Sequence, residues 1–139
     1  MKELITKLME DNPGYIMLAG FIILIGAIGK AKLFGKANQP MIAAIVPIWD
    51  MFVVLKMVGR PNSHFVYFLI PIYNVYFSFK VLIEIAQSFG KYTMTDAFFV
   101  CFFNVFYVLN LGLAYQENYY GPVYGISLKD VQARKPVLV

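Results

Sequence analysis

The sequence is poor in charged residues, which make up 14% of its 139 residues. Soluble domains average about 25% charged residues, because a surface that faces water needs them. Hydrophobic residues make up 60% of the chain, and aromatic residues alone make up 17%. This composition argues against an ordinary soluble domain, and the length predicts a single domain.

Cysteine and histidine are also scarce, with one residue of each type. Cys101 has no partner for an internal disulfide, and we interpret it as a small buried hydrophobic side chain. His64 is expected in a turn, and no set of ligands with zinc spacing accompanies it. The sequence contains no phosphate loop and no nucleotide fingerprint. We therefore expect no catalytic residues, no metal site and no cofactor, and a protein that is not an enzyme.

The basic residues are scattered between apolar segments instead of being clustered, although the formal net charge is +4. Such a distribution fits attraction to anionic lipid headgroups better than binding to nucleic acid. We expect the lipid bilayer and other membrane-protein subunits as partners, and no nucleic acid.

Two short segments near the middle of the chain are alike. Residues 46–50 read Val-Pro-Ile-Trp-Asp, and residues 70–74 read Ile-Pro-Ile-Tyr-Asn, 24 positions later. The similarity continues at three further pairs of positions: Phe52 and Tyr76, Leu55 and Phe79, Lys56 and Lys80. We interpret the pattern as an internal repeat, a duplicated membrane element broken by proline. Each proline is expected at the first helical position, so the helix-start motif comprises Pro47, Trp49, Pro71 and Tyr73.

Long apolar segments predict an all-α polytopic membrane protein with three or four transmembrane helices. The membrane domain is expected at residues 1–118, with spans at about 15–34, 41–58, 65–89 and 97–115. A helix from Pro47 to Gly59 would be only about 20 Å long, too short to cross alone. Either residues 41–46 join it in a kinked span, or 41–58 is re-entrant. Residues 119–139 carry little apolar content and are predicted to form an extended cytoplasmic tail.

The distribution of lysine and arginine bears on the orientation. Four full spans would place seven of these residues at one face and five at the other, too small a bias to decide. If the segment 41–58 is re-entrant, residues 30–40, Arg60 and the tail would instead lie on one side of the membrane. The amino terminus would lie on the opposite side. Both arrangements put the tail on the cytoplasmic side. Lys30 and Lys32 are expected to extend their ammonium groups to the membrane interface.

A few polar side chains fall inside the apolar segments. Asp50 and Asn74 lie in the first turns of their helices, where an oxygen can accept hydrogen bonds from free backbone N–H groups. Lys80 and Glu84 are four residues apart and can form an ion pair. Because an unpaired charge in lipid is costly, Glu84 is expected to face protein or a water-filled gap. These four residues form a predicted polar seam that either locks the bundle together or provides an ion path.

Five stretches of the chain resemble a family of small bacterial membrane proteins of unknown function. They are residues 35–37 (Gly-Lys-Ala), 44–50 (Ala-Ile-Val-Pro-Ile-Trp-Asp), 56–61 (Lys-Met-Val-Gly-Arg-Pro), 69–74 (Leu-Ile-Pro-Ile-Tyr-Asn) and 86–91 (Ala-Gln-Ser-Phe-Gly-Lys). The same region is similar to the N-terminal membrane portion of some bacterial type I signal peptidases. The resemblance covers roughly residues 15–120 and implies a multi-pass location in the bacterial inner membrane with a cytoplasmic tail.

Peptidase activity is not implied, because no positions match the serine and lysine signatures of the catalytic domain, which the sequence lacks. The chain departs from the family pattern at Asp50, where asparagine is usual, and at residues 62–64 (Asn-Ser-His), where a glycine and an aromatic residue are usual. We expect a non-enzymatic accessory or scaffold subunit of a larger inner-membrane complex. The alternative is a small transporter or ion-conducting protein that uses the seam around Asp50, Lys80 and Glu84.

Overall fold

The computed structural model describes residues 1–137, with the side chains of Leu8 and Met9 excepted. All regular secondary structure in this part of the chain is helical, which confirms the predicted all-α fold. The α-helices are α1 (Lys2–Asp11), α2 (Pro13–Lys36), α3 (Pro47–Val58), α4 (Val66–Leu69), α5 (Pro71–Ser88), α6 (Met94–Phe102), α7 (Asn104–Leu113) and α8 (Leu128–Gln132). Two 3-10 helices, Met41–Ile45 and Asn62–Phe65, precede α3 and α4.

The longest helix is α2, with 24 residues and a length of about 36 Å. It is long and apolar enough to cross a membrane, and it includes the first predicted span. Helices α6 and α7 pass the same test only together, and they are bent by 113° at the break between them. By length and composition, one helix of the described residues can cross a membrane. The number of crossings rises to two if the bent pair of α6 and α7 forms a single span. Three or four separate crossings are not shown.

Helices α3 and α5 begin in the same way. Pro47 and Pro71 occupy the starts of these helices, where a missing N–H removes no helical hydrogen bond. The preceding residues, Val46 and Ile70, have extended backbones, and each carbonyl accepts the first helical hydrogen bond, at 2.8 and 2.7 Å. The proline ring fixes the φ angle and disfavours a helical conformation in the residue before it. The backbone therefore changes direction immediately before both helices.

Three hairpins follow α2. The first hairpin (residues 41–58) packs a 3-10 helix against α3, and the second (residues 62–88) packs α4 against α5. The third (residues 94–113) joins α6 to α7 through the 113° bend at Phe103. The predicted span 97–115 is thus not a straight helix. No proline or glycine marks this break, so composition alone did not predict it.

The basal segment (residues 114–124) holds the ends of the hairpins together. Its hydrogen bonds run from Val123 and Tyr124 N–H to Val58 O (3.0 and 2.9 Å), from Tyr120 N–H to Ser88 O (2.8 Å), and from Lys36 Nζ to Ala114 and Glu117 O (2.6 and 2.7 Å). The carboxyl ends of α2, α3, α5 and α7 consequently lie at one end of the bundle, which we call the basal end. Each hairpin enters and leaves the bundle at this end.

Helices α2 and α7 run side by side in the same direction. Gly26 faces Val105, Gly29 faces Leu109, and Gly112 faces Leu33. A Cβ atom on Gly29 would lie 2.8 Å from Cα of Leu109, so only glycine permits this distance between the two backbones. The third hairpin is thereby fixed against the carboxyl-terminal half of α2.

The amino-terminal half of α2 has a different environment. Its large apolar side chains are exposed, among them Tyr15, Met17, Phe21 and Ile23, at 58–76%. Gly14 and Gly20 have open space around them. The apices of the hairpins are also apolar and exposed, with Ile72 at 90%. Such surfaces are compatible with lipid or with another apolar protein surface.

The tail is folded, which corrects the predicted extended conformation for residues 119–137. Tyr119, Val123 and Val131 are buried, and the N–H of Val137 donates to Tyr119 O at 2.7 Å. Tyr119 donates its hydroxyl to the carbonyl of Met57 at 2.5 Å, which satisfies an acceptor in the last turn of α3. Tyr119 belongs to the hydrophobic core formed by the helices, and the end of the tail folds back to bond with Tyr119. Residues 138 and 139 lie outside the described residues.

Candidate functional site

A cavity of about 220 Å³ lies between α2, α3, α4, α5 and α7. Most of its lining is aliphatic or aromatic, as shown by Leu33, Phe34, Val54, Leu82 and Val108. Five polar residues also reach it: Lys30, Asp50, Asn74, Ser78 and Asn104. A mostly apolar cavity with a few convergent polar groups is the usual form of a small-molecule site.

Lys30 and Asp50 form an ion pair at this cavity. Lys30 Nζ donates to Asp50 Oδ2 at 2.6 Å, and the Asp50 side chain is 14% exposed against 38% for Lys30. Asp50 lies in the first turn of α3, where the helix dipole favours a negative charge. The other carboxylate oxygen, Oδ1, is buried and has no hydrogen-bond donor among the described residues. Lys30 therefore does not extend to the membrane interface as expected, but turns inward to neutralise Asp50.

Two asparagines come to the same cavity from two further helix starts. Asn74 is the fourth residue of α5, as Asp50 is of α3, and its Oδ1 accepts from Ser78 Oγ at 2.9 Å. Asn104 is the first residue of α7 and donates weakly to Val100 O at 3.5 Å. The starts of α3, α5 and α7 thus each supply one polar side chain to one cavity.

Glu84 belongs to a second ion pair, nearer the basal end. Arg60 donates to both carboxylate oxygens of Glu84, at 2.5 and 2.6 Å, in a bidentate arrangement. The Arg60 guanidinium also lies 4.4 Å from the ring centre of Tyr124 and 5.1 Å from that of Phe77. His64 Nδ1 accepts from Arg60 at 3.2 Å. Every polar atom of this pair thus has a partner.

The predicted pairing of Lys80 with Glu84 is wrong. Arg60 occupies Glu84, and Lys80 is exposed on the surface of α5. The four-residue spacing permits the pair on an isolated helix, but a guanidinium fits a carboxylate better than an ammonium does. Of the predicted seam, the structure brings Asp50 and Asn74 to one cavity and leaves Glu84 and Lys80 elsewhere.

Sequence reasoning missed Lys30, Arg60 and Asn104 as members of polar sites. A signal existed for the first two, because every buried carboxylate needs a countercharge and the chain has only twelve lysines and arginines. The helix-start residues Trp49 and Tyr73 are both exposed, at 44% and 40%, and do not line the cavity. Cys101 is partly buried and unpaired.

A family of unknown function, DUF5684, matches residues 42–122, which is more than half of the chain. The match includes Asp50, Asn74, Arg60 and Glu84 but leaves out Lys30. No curated protein and no solved structure shows significant similarity to the chain. The comparisons therefore give no support for a relationship to signal peptidases. The chain belongs to the DUF5684 family of unknown function.

Proposed function

We propose that the protein is a non-enzymatic accessory subunit of a larger complex in the bacterial inner membrane. Helix α2 provides a complete crossing, and the three hairpins provide apolar segments that enter the bilayer from the basal side and return to it. The support for a membrane location is the exposed apolar surface on α2 and on the hairpin apices. Three or four full crossings are the alternative topology.

The distribution of cations supports the hairpin topology. With α2 as the crossing, Lys2 and Lys7 lie on one side, and Lys30 and Lys80 lie within membrane segments. The remaining eight cations lie at the basal side: Lys32, Lys36, Lys56, Arg60, Lys91, Lys129, Arg134 and Lys135. Eight against two is the bias expected for a cytoplasmic face. We therefore infer a cytoplasmic basal end and an amino terminus on the opposite side.

Lys80 is the observation that carries the subunit role. It is exposed on α5 and has no ion-pair partner among residues 1–137. It lies eight residues before the end of α5, about 12 Å from the basal end, beside the exposed rings of Tyr76 and Phe79. A charge at that depth on an apolar surface is costly. A carboxylate on a neighbouring subunit would neutralise it.

The experiment compares Lys80→Leu with Lys56→Leu during purification from the native host in mild detergent. Lys56 is also exposed, but it lies near the end of α3, where its ammonium can reach the interface. We expect a co-purifying membrane protein in stoichiometric amount with the natural chain and with Lys56→Leu, and its loss with Lys80→Leu. A lone monomer for all three chains would contradict the proposal.

The buried Asp50 Oδ1 favours a second candidate, a small transporter or ion-conducting protein. A carboxylate oxygen without a donor in a cavity is a feature of sites that bind protons or cations. The Lys30 ammonium 2.6 Å from Asp50 counts against a resident metal cation, since it already neutralises the carboxylate. Proton or sodium flux into liposomes that disappears in Asp50→Asn and persists in Lys56→Leu would favour this candidate over the subunit role.

A further inference from the structure

The cavity between α2, α3, α4, α5 and α7 contains a buried hydrogen-bond acceptor that has no donor among the described residues. Its polar end contains one carboxylate, one ammonium, two amides and one hydroxyl, from Asp50, Lys30, Asn74, Asn104 and Ser78. Asp50 Oδ2 is satisfied by Lys30, and Asn74 Oδ1 is satisfied by Ser78. Asp50 Oδ1 is the buried side-chain acceptor that has no donor in the described residues. A buried acceptor without a donor is destabilising by about 1–3 kcal/mol, so an occupant that donates a hydrogen bond would be stabilised there.

The charge at the site limits the class of occupant. A metal ion or an organic ammonium would face the Lys30 ammonium, and an anion would face the Asp50 carboxylate, so either charge meets repulsion as well as attraction. The pair as a unit is neutral. A neutral occupant is therefore favoured, and Asp50 Oδ1 requires that it carry an O–H or N–H donor.

The size and the rest of the lining describe the remainder of the occupant. A volume of about 220 Å³ exceeds the 150 Å³ or so that accommodates benzene in an engineered apolar cavity, and it is much larger than one water molecule. Beyond the polar end, the cavity is bounded by Leu33, Val54, Leu82, Ile85 and Val108. Water would satisfy Asp50 Oδ1 but would gain nothing from these apolar walls.

We propose that this cavity binds one neutral amphiphile, whose hydroxyl group donates to Asp50 Oδ1 and whose hydrocarbon chain lies against the apolar walls. The binding site goes beyond the accessory role and does not depend on Lys80 or on a partner subunit. Two cellular sources of a hydroxyl group on a hydrocarbon body are a glycerolipid alcohol such as diacylglycerol and an isoprenoid quinol.

The test uses the full-length protein in maltoside detergent with 1-octanol as the probe. The matched control is 1-methoxyheptane, which has the same atoms but can only accept a hydrogen bond. Trp49 is the single tryptophan of the chain, so its fluorescence follows thermal unfolding without interference. At equal fractions in the micelle, we expect 1-octanol to raise the unfolding midpoint by about 3 °C or more above the ether.

Three variants locate the effect. Asp50→Leu removes the acceptor and should abolish the difference between alcohol and ether. Val54→Phe fills the cavity and leaves the Lys30–Asp50 pair in place, so it should abolish the response even if Asp50→Leu does not fold. Lys56→Leu, an exposed change on the same helix as Asp50, should keep the difference.

Three results would overturn the proposal. If 1-octanol and the ether gave equal shifts in the natural chain, or if Asp50→Leu kept the difference, the hydroxyl would not be recognised by Asp50. If neither compound shifted the midpoint, the cavity would hold water only.

Solvent extraction of protein purified from its host separates the two sources. Mass spectrometry should find a glycerolipid alcohol or a quinol enriched in the natural chain over Val54→Phe, and its identity names the source. Equal amounts of every hydroxyl lipid in both proteins would contradict binding in the cell.

Discussion

Two ion pairs in the described residues, Arg60–Glu84 and Lys30–Asp50, differ in how completely their polar atoms are satisfied. Arg60 and Glu84 make two hydrogen bonds, and the rings of Tyr124 and Phe77 lie against the guanidinium. Lys30 and Asp50 make one hydrogen bond, and the second carboxylate oxygen faces a cavity. The pair with more hydrogen bonds is also the less exposed one, because the side chain of Arg60 is 4% exposed and that of Lys30 is 38% exposed.

The comparison separates a structural role from a binding role. The Arg60–Glu84 pair lies where the basal segment closes the bundle, and each nitrogen and oxygen of the two charged groups has a partner. The Lys30–Asp50 pair lies where three helices begin and where packing is incomplete. A buried pair with all partners present fixes the arrangement of helices, whereas a pair with an unused oxygen beside a cavity can recognise a molecule. The variants below test this division, in order of decreasing effect.

Glu84→Leu should have the largest effect on stability. It leaves the Arg60 guanidinium buried without its countercharge, and loss of one partner from a buried pair costs about 3–5 kcal/mol. Thermal unfolding in detergent, read from Trp49 fluorescence, measures the change. Lys80→Leu, four residues earlier on the exposed face of α5, is the control and should change the stability of the isolated chain little. If the Glu84→Leu protein expressed and unfolded like the natural chain, this result would contradict a structural role for the Arg60–Glu84 pair.

Arg60→Lys should have an intermediate effect, with a loss of about 2 kcal/mol of stability. Lysine keeps the charge but loses the bidentate geometry and the stacking on Tyr124. The same unfolding measurement, combined with a Tyr124→Leu change, reports whether the two losses are coupled. If Arg60→Lys unfolded at the same midpoint as the natural chain, the positive charge alone would account for the contribution of residue 60 to stability. The bidentate geometry and the stacking on Tyr124 would then contribute nothing.

Tyr119→Phe should cost about 1 kcal/mol, because it removes the hydroxyl that satisfies Met57 O at the basal end. Burial raises the pKa of Tyr119 to about 12, whereas an unfolded tyrosine titrates near 10. This hydroxyl therefore contributes stability below pH 10, and the contribution is lost as the pH rises from about 10 to 12. Unfolding midpoints between pH 9 and 12 should fall less steeply for Tyr119→Phe than for the natural chain. If the unfolding midpoints of the two proteins fell equally steeply with pH, the Tyr119 hydroxyl would not be held in its protonated form by the fold.

Asp50→Leu should have the smallest effect on stability, a loss below about 1 kcal/mol. It removes a buried acceptor that has no donor, and the Lys30 ammonium left behind is partly exposed and lies six residues before the end of α2, so it can extend to the basal interface. Its unfolding midpoint is measured beside that of Glu84→Leu. If the two variants were equally destabilised, the two ion pairs would have the same structural role and the division between them would fail.

Local features of the fold could be predicted from the sequence, and contacts between distant residues could not. Pro47 and Pro71 act through the φ angle and the missing N–H of a single residue, so the helix starts can be read directly. Gly59, with φ at +87°, ends α3 in the left-handed conformation that glycine favours. These effects operate within a few residues along the chain.

The partners of the charged side chains depend on how the hairpins are arranged. Lys30 and Asp50 are 20 residues apart, and Arg60 and Glu84 are 24 apart. The nearby Lys80 is a plausible partner for Glu84 along the helix, but the turn after α3 brings Arg60 to the same carboxylate. The buried tail residues were missed for the same reason, because Tyr119 finds its acceptor in α3, 62 positions earlier.

Sided cysteine labelling in membrane vesicles tests the hairpin topology most directly. In a Cys101→Ser background, single cysteines at Asp11, Asn38, Thr93 and Ser127 would be treated with a membrane-impermeant maleimide. The hairpin topology predicts that only the cysteine at position 11 reacts from outside, and that positions 38, 93 and 127 all react from the cytoplasmic side. Four full crossings would instead place positions 38 and 93 outside, with 11 and 127 inside, and that result would contradict the hairpin topology.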